Sequence, residues 1–163
     1  MTKPNVENWM SDVGEAIEIG RQIGHKVIVI STSTGSTLTA AAALNPHLSR
    51  NIAGFIFVSP NFGINNPLAN VLTWPGARWW IPIVAGKMRN SSIRNKQHAK
   101  FWTTSYPTVA TIPMAALVKV ITQQDFSKIH IPALFYYSLE DKVVMAQSTS
   151  DIALKWGGEA TTI

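Results

Sequence analysis

A serine within a run of small residues is the strongest candidate for chemistry in this sequence. Ser33 lies in Ser31-Thr-Ser-Thr-Gly35, between the β-branched run Lys26-Val-Ile-Val-Ile30 and the alanine-rich stretch 38–44. A strand, a tight turn and a helix in that order form a nucleophile elbow, in which the turn lifts a serine hydroxyl above the sheet. The N–H of Thr34, at the start of the helix, would then donate to an oxyanion on the substrate. Elbows usually have glycine two residues before the nucleophile, where this chain has Ser31, which tolerates positive φ less well.

Two other interpretations of the same turn stay open at this point. Serine- and threonine-rich turns often only cap the helix that follows them. The run Thr32-Ser-Thr-Gly-Ser-Thr37 also fits the loop by which flavodoxins hold a flavin phosphate, which would make the chain a flavin- or phosphate-binding module. In flavodoxins that loop follows the first strand at the extreme N-terminus, whereas here a well-formed helical pattern precedes it.

A carboxylate near the C-terminal end of the chain is the second candidate. Asp141 lies in Ser138-Leu-Glu-Asp-Lys-Val-Val144, directly after the apolar run Ala133-Leu-Phe-Tyr-Tyr137. Acids at the carboxyl ends of parallel strands face the functional crevice, and a catalytic triad needs one there to orient a histidine. We favour Asp141 over its neighbour Glu140. The simpler interpretation of an acid in a loop is a solvated charge.

Composition limits the classes of protein and site that fit. At 163 residues the chain is long enough for one domain and too short for two ordinary ones. It has no cysteine, which excludes disulfides and thiolate metal sites, and we predict neither a cofactor nor a metal. The longest apolar stretches are broken well short of the roughly 20 residues that a membrane span requires. The N-terminus has no apolar leader segment, so we expect a cytoplasmic protein.

Apolar patterns predict alternating helices and strands. Helices are expected over about 9–24, where Asp12 and Glu15 have capping-box spacing, over 38–44, and over about 145–156. Strands are expected at 26–30, 52–58 and 133–137, with a further strand beginning at 160–163. The β-branched run at 26–30 is typical of a strand buried on both faces. Because helical or irregular sequence separates successive strands, the class is α/β with a mainly parallel sheet flanked by helices.

A long insertion, about residues 60–111, interrupts this alternation. Segments of that length inside a compact domain usually form a lid or cap, and we predict a helical one. The insertion contains four of the six tryptophans and six of the fourteen lysines and arginines. Between Ile19 and Gln124 the chain has no Asp or Glu. This basic segment is either a solvated surface or a face for an anionic membrane surface or acidic substrate, while the absence of aromatic-basic alternation argues against nucleic acid.

Taken together, the sequence resembles monoacylglycerol lipase-like serine esterases of the α/β-hydrolase family along nearly its whole length. No single piece is specific, but the order and spacing of the pieces are. The matching pieces are Trp9 with Asp12-Val13, Ser31-Thr-Ser-Thr-Gly35, Val58-Ser-Pro-Asn-Phe62, the tryptophan-rich insertion, and Pro132 to Ser138 with Asp141 and Val143-Val144.

The resemblance implies a serine hydrolase acting on carboxylic esters. Ser33 attacks the carbonyl, a histidine takes its proton, and Asp141 orients that histidine. It also implies that the insertion binds the acyl part of a small-molecule ester or lipid by burying apolar surface. The residues expected to do so are Trp74, Trp79, Trp80 and Trp102.

Two departures from the family pattern produce further expectations. Members of the family carry earlier strands with a His-Gly oxyanion loop, and a catalytic histidine after the eighth strand. This sequence contains neither. Here all four histidines, His25, His47, His98 and His130, precede Asp141. We therefore expect residues 1–163 to form a single partial domain whose catalytic histidine lies elsewhere, and which forms a homodimer or associates with the missing part. The alternative to an enzyme is that the chain is a non-catalytic remnant of a hydrolase fold.

Overall fold

The structure, a computed structural model, describes residues 4–67, 69–93 and 95–163. Its main sheet has four parallel strands in the order β1-β2-β5-β6, and a separate pair, β3-β4, is antiparallel. The strands are β1 Val27–Thr32, β2 Ile52–Val58, β3 Met88–Asn90, β4 Ser105–Pro107, β5 Ala133–Tyr136 and β6 Ala160–Thr162. The predicted α/β class and parallel sheet are confirmed.

Helices connect the strands of the main sheet. They are α1 Val6–Ile23, α2 Thr34–Ala43, α3 Pro46–Ser49, α4 Ala77–Val84, α5 Lys96–Phe101, α6 Thr111–Ile121 and α7 Ala146–Lys155, with short 3₁₀ helices at Ala69–Thr73, Thr108–Ala110 and Phe126–Lys128. The first helix begins earlier than predicted, because the side chain of Asn5 accepts a hydrogen bond from the N–H of Asn8 and caps it. Asp12 and Glu15 therefore lie inside α1, and the predicted capping box is wrong. Among the described residues, no helix is long and apolar enough to cross a membrane.

One face of the main sheet carries the core. Phe55 and Phe57 of β2 and Phe135 of β5 are almost fully buried on this face, and the ring centroids of Phe57 and Phe135 are 5.1 Å apart. The indole of Trp156, which follows α7, packs edge-on against Phe57. Helices α1, α2, α6 and α7 all contribute to the same cluster, through Ile17, Leu38, Leu117 and Ile152. Burial of this aromatic cluster contributes to the stability of the domain.

The opposite face of β1 is open to solvent. Ile28 is 63% exposed and Ile30 is 69% exposed, and both side chains lie on the face opposite Phe55 and Phe57. The run at 26–30, typical of a strand buried on both faces, is therefore covered on one face only within the described residues. Tyr136 of β5 is also exposed on this side. The name "open face" is used below for the side of the sheet that carries Ile28, Ile30 and Tyr136.

The insertion folds into several short elements between β2 and α6. Its 3₁₀ helix Ala69–Thr73 packs on α6, and α4 packs on the 3₁₀ helix Thr108–Ala110. The antiparallel pair β3-β4 was not predicted; it is closed by hydrogen bonds from Ser91 N–H to the carbonyl of Thr104 and from Thr108 N–H to the carbonyl of Lys87. The insertion is thus a mixture of short helices and a two-stranded ribbon and is not purely helical.

Candidate active site

The backbone at Ser33 has an unusual conformation. Ser33 lies between the end of β1 and the start of α2 with φ 53° and ψ −123°, a region that side-chain-bearing residues rarely adopt. Such a conformation costs about 1–3 kcal/mol and persists only where neighbouring structure fixes it. Here the Ser33 N–H donates to the Val58 carbonyl at 3.1 Å, and the Ser33 carbonyl accepts from the N–H groups of Ser36 and Asn61. The turn is a sharp strand-to-helix elbow held from both sides.

Ser31 stands where elbows usually have glycine, but its backbone does not adopt a positive φ. The described non-glycine residues with positive φ are Ser33, Asn51 and Ser59, so Ser31 does not need the freedom of glycine. Its buried hydroxyl accepts a hydrogen bond from the Thr39 hydroxyl at 2.9 Å and lies 3.2 Å from the Ser36 hydroxyl. A small polar residue at this position therefore ties the end of β1 to the first turns of α2.

The helix that begins at Thr34 receives no capping hydrogen bond from the Ser33 side chain, although Ser33 occupies the capping position. This geometry counts against the interpretation of Ser33 as a simple helix cap. The Ser36 N–H donates to the Ser33 carbonyl, and the Thr34 N–H, at the first position of the helix, is able to donate to an anionic group beside Ser33.

Asn61 is the part of the elbow that sequence reasoning did not identify. It is 4% exposed, its N–H donates to the Ser33 carbonyl, and its carbonyl accepts a 2.6 Å hydrogen bond from the Thr37 hydroxyl. Its side-chain amide lies 3.4 Å from the hydroxyl of Thr34. Asn61 therefore joins the carboxyl end of β2 to the turn. The available signal was its position three residues after a predicted strand beside the elbow strand.

Asp141 lies in the turn after β5. One carboxylate oxygen accepts hydrogen bonds from the N–H groups of Val143 and Val144, at 2.7 and 3.1 Å. Asp141 is half-buried whereas Glu140 is exposed. Since β2 separates β1 from β5, Ser33 and Asp141 follow strands that are two spacings, or about 10 Å, apart. Both residues therefore lie at the carboxyl edge of the sheet.

A short strap connects the insertion to the Asp141 turn. Ile64 forms an antiparallel bridge with Val144, and the side-chain amide of Asn65 donates to the Asp141 carbonyl at 3.1 Å. Gly63 permits a close approach here, because a Cβ atom on it would lie 2.5 Å from the Ser148 hydroxyl oxygen and 3.1 Å from the Cβ atoms of Met145 and Ser148. The beginning of the insertion thus contacts both regions that hold candidate catalytic residues, through Asn61 and through Asn65.

The four tryptophans differ in exposure. Trp74, Trp79 and Trp102 are exposed, and Trp80 is half-buried with its indole N–H donating to the Pro75 carbonyl. A cleft of about 450 Å³ lies instead between residues 62–73 and α6. Its lining includes Phe62, Asn65, Thr73, Lys119 and Met145, but none of the four tryptophans. Their assignment to substrate binding remains a prediction.

The chain combines a parallel sheet with a strand-to-helix turn at Ser33, and comparison with known proteins gives the family. The sequence profile described as "Serine aminopeptidase, S33", where S33 is part of the family's name, matches residues 1–163. The chain belongs to this family of α/β hydrolases, and the resemblance noted from the sequence is confirmed at that level. A search of curated protein sequences gives no match.

Solved structures with a similar fold include several lipolytic enzymes. A structure reported for LipS and LipT, two metagenome-derived lipolytic enzymes, superposes with a TM-score of 0.74 at 18% identity, covering 99% of this chain and 66% of that one. The monoacylglycerol lipase of Paleococcus ferrophilus gives 0.69 at 15% identity, covering 98% and 64%. A soluble variant of monoglyceride lipase from Saccharomyces cerevisiae gives 0.62 at 9%, covering 96% and 58%. The chain thus spans less than two thirds of each, and at these identities the likeness concerns the fold.

Proposed function

We propose that this chain supplies the nucleophile and the acid of a serine hydrolase that cleaves carboxylic esters. The observation that carries the proposal is the positive φ of Ser33 at the junction of β1 and α2, with a hydroxyl that does not cap the helix. Strained backbone at a functional position is retained when the strain presents a reactive group. A phosphate-binding loop would not need this strained serine, so we favour the hydrolase.

The proposed reaction follows the acyl-enzyme route. The Ser33 hydroxyl oxygen attacks the ester carbonyl while a histidine accepts its proton, and the Thr34 N–H donates to the oxyanion. Collapse of the tetrahedral intermediate transfers the proton to the alcohol that leaves, and water then hydrolyses the acyl-enzyme. Asp141 holds the histidine in the required tautomer and stabilises its charged form.

The positions of the histidines in this chain bear on the source of that base. His25 and His130 lie two and three residues before β1 and β5, at the amino ends of the strands, while Ser33 and Asp141 follow the carboxyl ends. Six residues of β1, about 20 Å, separate His25 from the elbow. His47 lies in α3, beyond the far end of α2, and His98 stacks on Trp102 in α5. We therefore propose that the base is a histidine outside these 163 residues.

The proposal is tested with a fluorophosphonate probe and p-nitrophenyl esters. A longer protein that contains this chain and its histidine should hydrolyse short or medium acyl esters, whereas the 163 residues alone should show feeble turnover, because a serine without a positioned base loses several orders of magnitude in rate. In the longer protein, Ser33→Ala should abolish labelling by the fluorophosphonate probe. Ser59→Ala is the matched control, since Ser59 also has positive φ at the end of a neighbouring strand. Labelling that maps to Ser59, or a longer protein inert towards every ester, would overturn the proposal. Activity lost in His98→Ala would place the base inside the chain.

A further inference from the structure

The outer part of the insertion, residues 74–102, concentrates the positive charge of the molecule. It contains six basic residues and no acid; the remaining eight basic and nine acidic residues of the chain give a net charge of −1. Arg94 lies outside the described residues, and the other five are exposed. These are Arg78, Lys87, Arg89, Lys96 and Lys100. No acid of this segment offsets them, so the segment carries only positive formal charge. We call residues 74–102 the outer insertion.

The same segment exposes large apolar side chains. In α4, Ala77 and Ile81 are buried at a spacing of four residues, which makes theirs the inward face. Trp79 and Ile83 lie on the outward face, and they are 80% and 83% exposed. A surface helix of a water-soluble domain normally turns polar residues outward. Helix α4 therefore presents to solvent a face that is suited to hydrocarbon.

Apolar and cationic groups alternate along the rest of the outer insertion. In β3, exposed Met88 lies between Lys87 and Arg89 in sequence. At the end of α5, the ammonium group of Lys100 is 5.1 Å from the centroid of the exposed Phe101 ring. The hydrogen bonds that close the β3-β4 ribbon hold this loop together, and α4 packs against its base. The exposed groups therefore belong to one folded segment.

We propose that the outer insertion docks on the surface of an anionic phospholipid bilayer. Tryptophan prefers the interface between headgroups and acyl chains, and lysine and arginine are attracted to anionic headgroups. The aliphatic groups Ile83, Val84 and Ile93 favour acyl chains as the contacting phase over nucleic-acid bases, which stack on aromatic rings. Charge complementarity selects anionic over neutral lipid, because each basic residue near the surface changes binding by about fivefold.

Sedimentation with phosphatidylcholine vesicles, with and without phosphatidylserine, tests the proposal on this chain. We expect binding to the anionic vesicles at low salt, little binding to the neutral ones, and loss of binding as salt screens the charges. Lys87→Gln with Arg89→Gln should weaken binding by about 25-fold, at about fivefold per charge. The control pair Lys26→Gln and Lys155→Gln changes the net charge equally, at exposed sites elsewhere, and should have less than about a tenth of that effect.

A second pair of variants tests the apolar contribution. Ile83→Ser should reduce binding to anionic vesicles several-fold, whereas Leu154→Ser in α7, at a site that is also 83% exposed, should not. All six substituted sites are on the surface, so circular dichroism should show unchanged folding. Equal binding to neutral and anionic vesicles, equal effects of the matched pairs, or preferential binding of RNA or an acidic protein in competition with vesicles would each overturn the proposal. Ser33→Ala should leave vesicle binding unchanged.

Discussion

The elbow and the outer insertion treat polar and apolar side chains in opposite ways. Around Ser33 the hydroxyls of Ser31, Thr37 and Thr39 are buried and hydrogen-bonded. In the outer insertion, Trp79 and Ile83 face solvent. Buried polar groups with satisfied hydrogen bonds specify one conformation, whereas exposed apolar groups gain free energy only from a partner. The elbow is thus held in one geometry, whereas the outer insertion exposes the apolar groups that we propose contact lipid.

The largest effects should come from Ser33 itself. Ser33→Ala should reduce ester hydrolysis by the longer protein by several orders of magnitude, with little change in stability. Ser33→Gly should be equally inactive but more stable by about 1 kcal/mol, because relief of about 1–3 kcal/mol of strain exceeds the entropic penalty of about 0.5–1 kcal/mol for glycine. Urea unfolding of both variants measures the difference. A glycine variant less stable than the alanine variant would show that the elbow stores no strain.

The contrast between the elbow and the outer insertion does not extend to the open face, because its exposed isoleucines belong to the strand that leads to the elbow. We expect the chain to self-associate through this face and the unpaired edge of β1, which proteins ordinarily cover. Ile28→Thr with Ile30→Thr should raise the dissociation constant at least tenfold, since a buried isoleucine contributes about 1.5–3 kcal/mol. Ile23→Thr in α1, also highly exposed, is the control. Light scattering that finds a monomer of 17.9 kDa at all concentrations would contradict this expectation.

Thr37→Val should show how firmly the elbow is held. The change keeps the shape of the side chain but removes the 2.6 Å hydrogen bond to the Asn61 carbonyl in a fully buried position. Leaving that carbonyl unpaired should lower the free energy of unfolding by about 1–3 kcal/mol. Thr122→Val loses only a partly buried bond within one helical turn, and should change stability by less than about 0.5 kcal/mol. Equal effects would mean that the Thr37–Asn61 bond does not secure the turn.

The sequence predicts those features that depend on local pattern. The β-branched and aromatic runs identified β1, β2 and β5, because buried parallel strands need continuous apolar residues. The same run at 26–30 could not show that one face of β1 lies open, since exposure depends on what packs there. The ribbon β3-β4 was missed because three residues per strand give no periodicity. Asn61 was missed because its role depends on hydrogen bonds to residues more than 20 positions away.

The prediction of function from sequence had a similar limit. The order of Ser33 and Asp141 along the chain indicated the class of hydrolase, and the fold places the two residues after strands separated by one other strand. The tryptophans, in contrast, were grouped as a substrate site only because they cluster in sequence. In the structure their environments differ, since Trp80 is half-buried and hydrogen-bonded while Trp79 faces solvent. In a segment of short elements, tertiary packing decides which side chains are exposed. The local sequence pattern does not predict that packing.

The smallest expected effect separates those two neighbours. Trp79→Ala should change the free energy of unfolding by less than about 0.5 kcal/mol, because the side chain is 80% exposed and little burial is lost. Trp80→Ala should lower it by about 1–3 kcal/mol, through lost packing and the lost hydrogen bond to the Pro75 carbonyl. Thermal unfolding without lipid measures both. Trp79 should then influence only vesicle binding and the acyl-chain preference of the longer protein. A Trp79→Ala variant as destabilised as Trp80→Ala would show that Trp79 belongs to the packed interior of the insertion, and the contrast between the elbow and the outer insertion would no longer hold at α4.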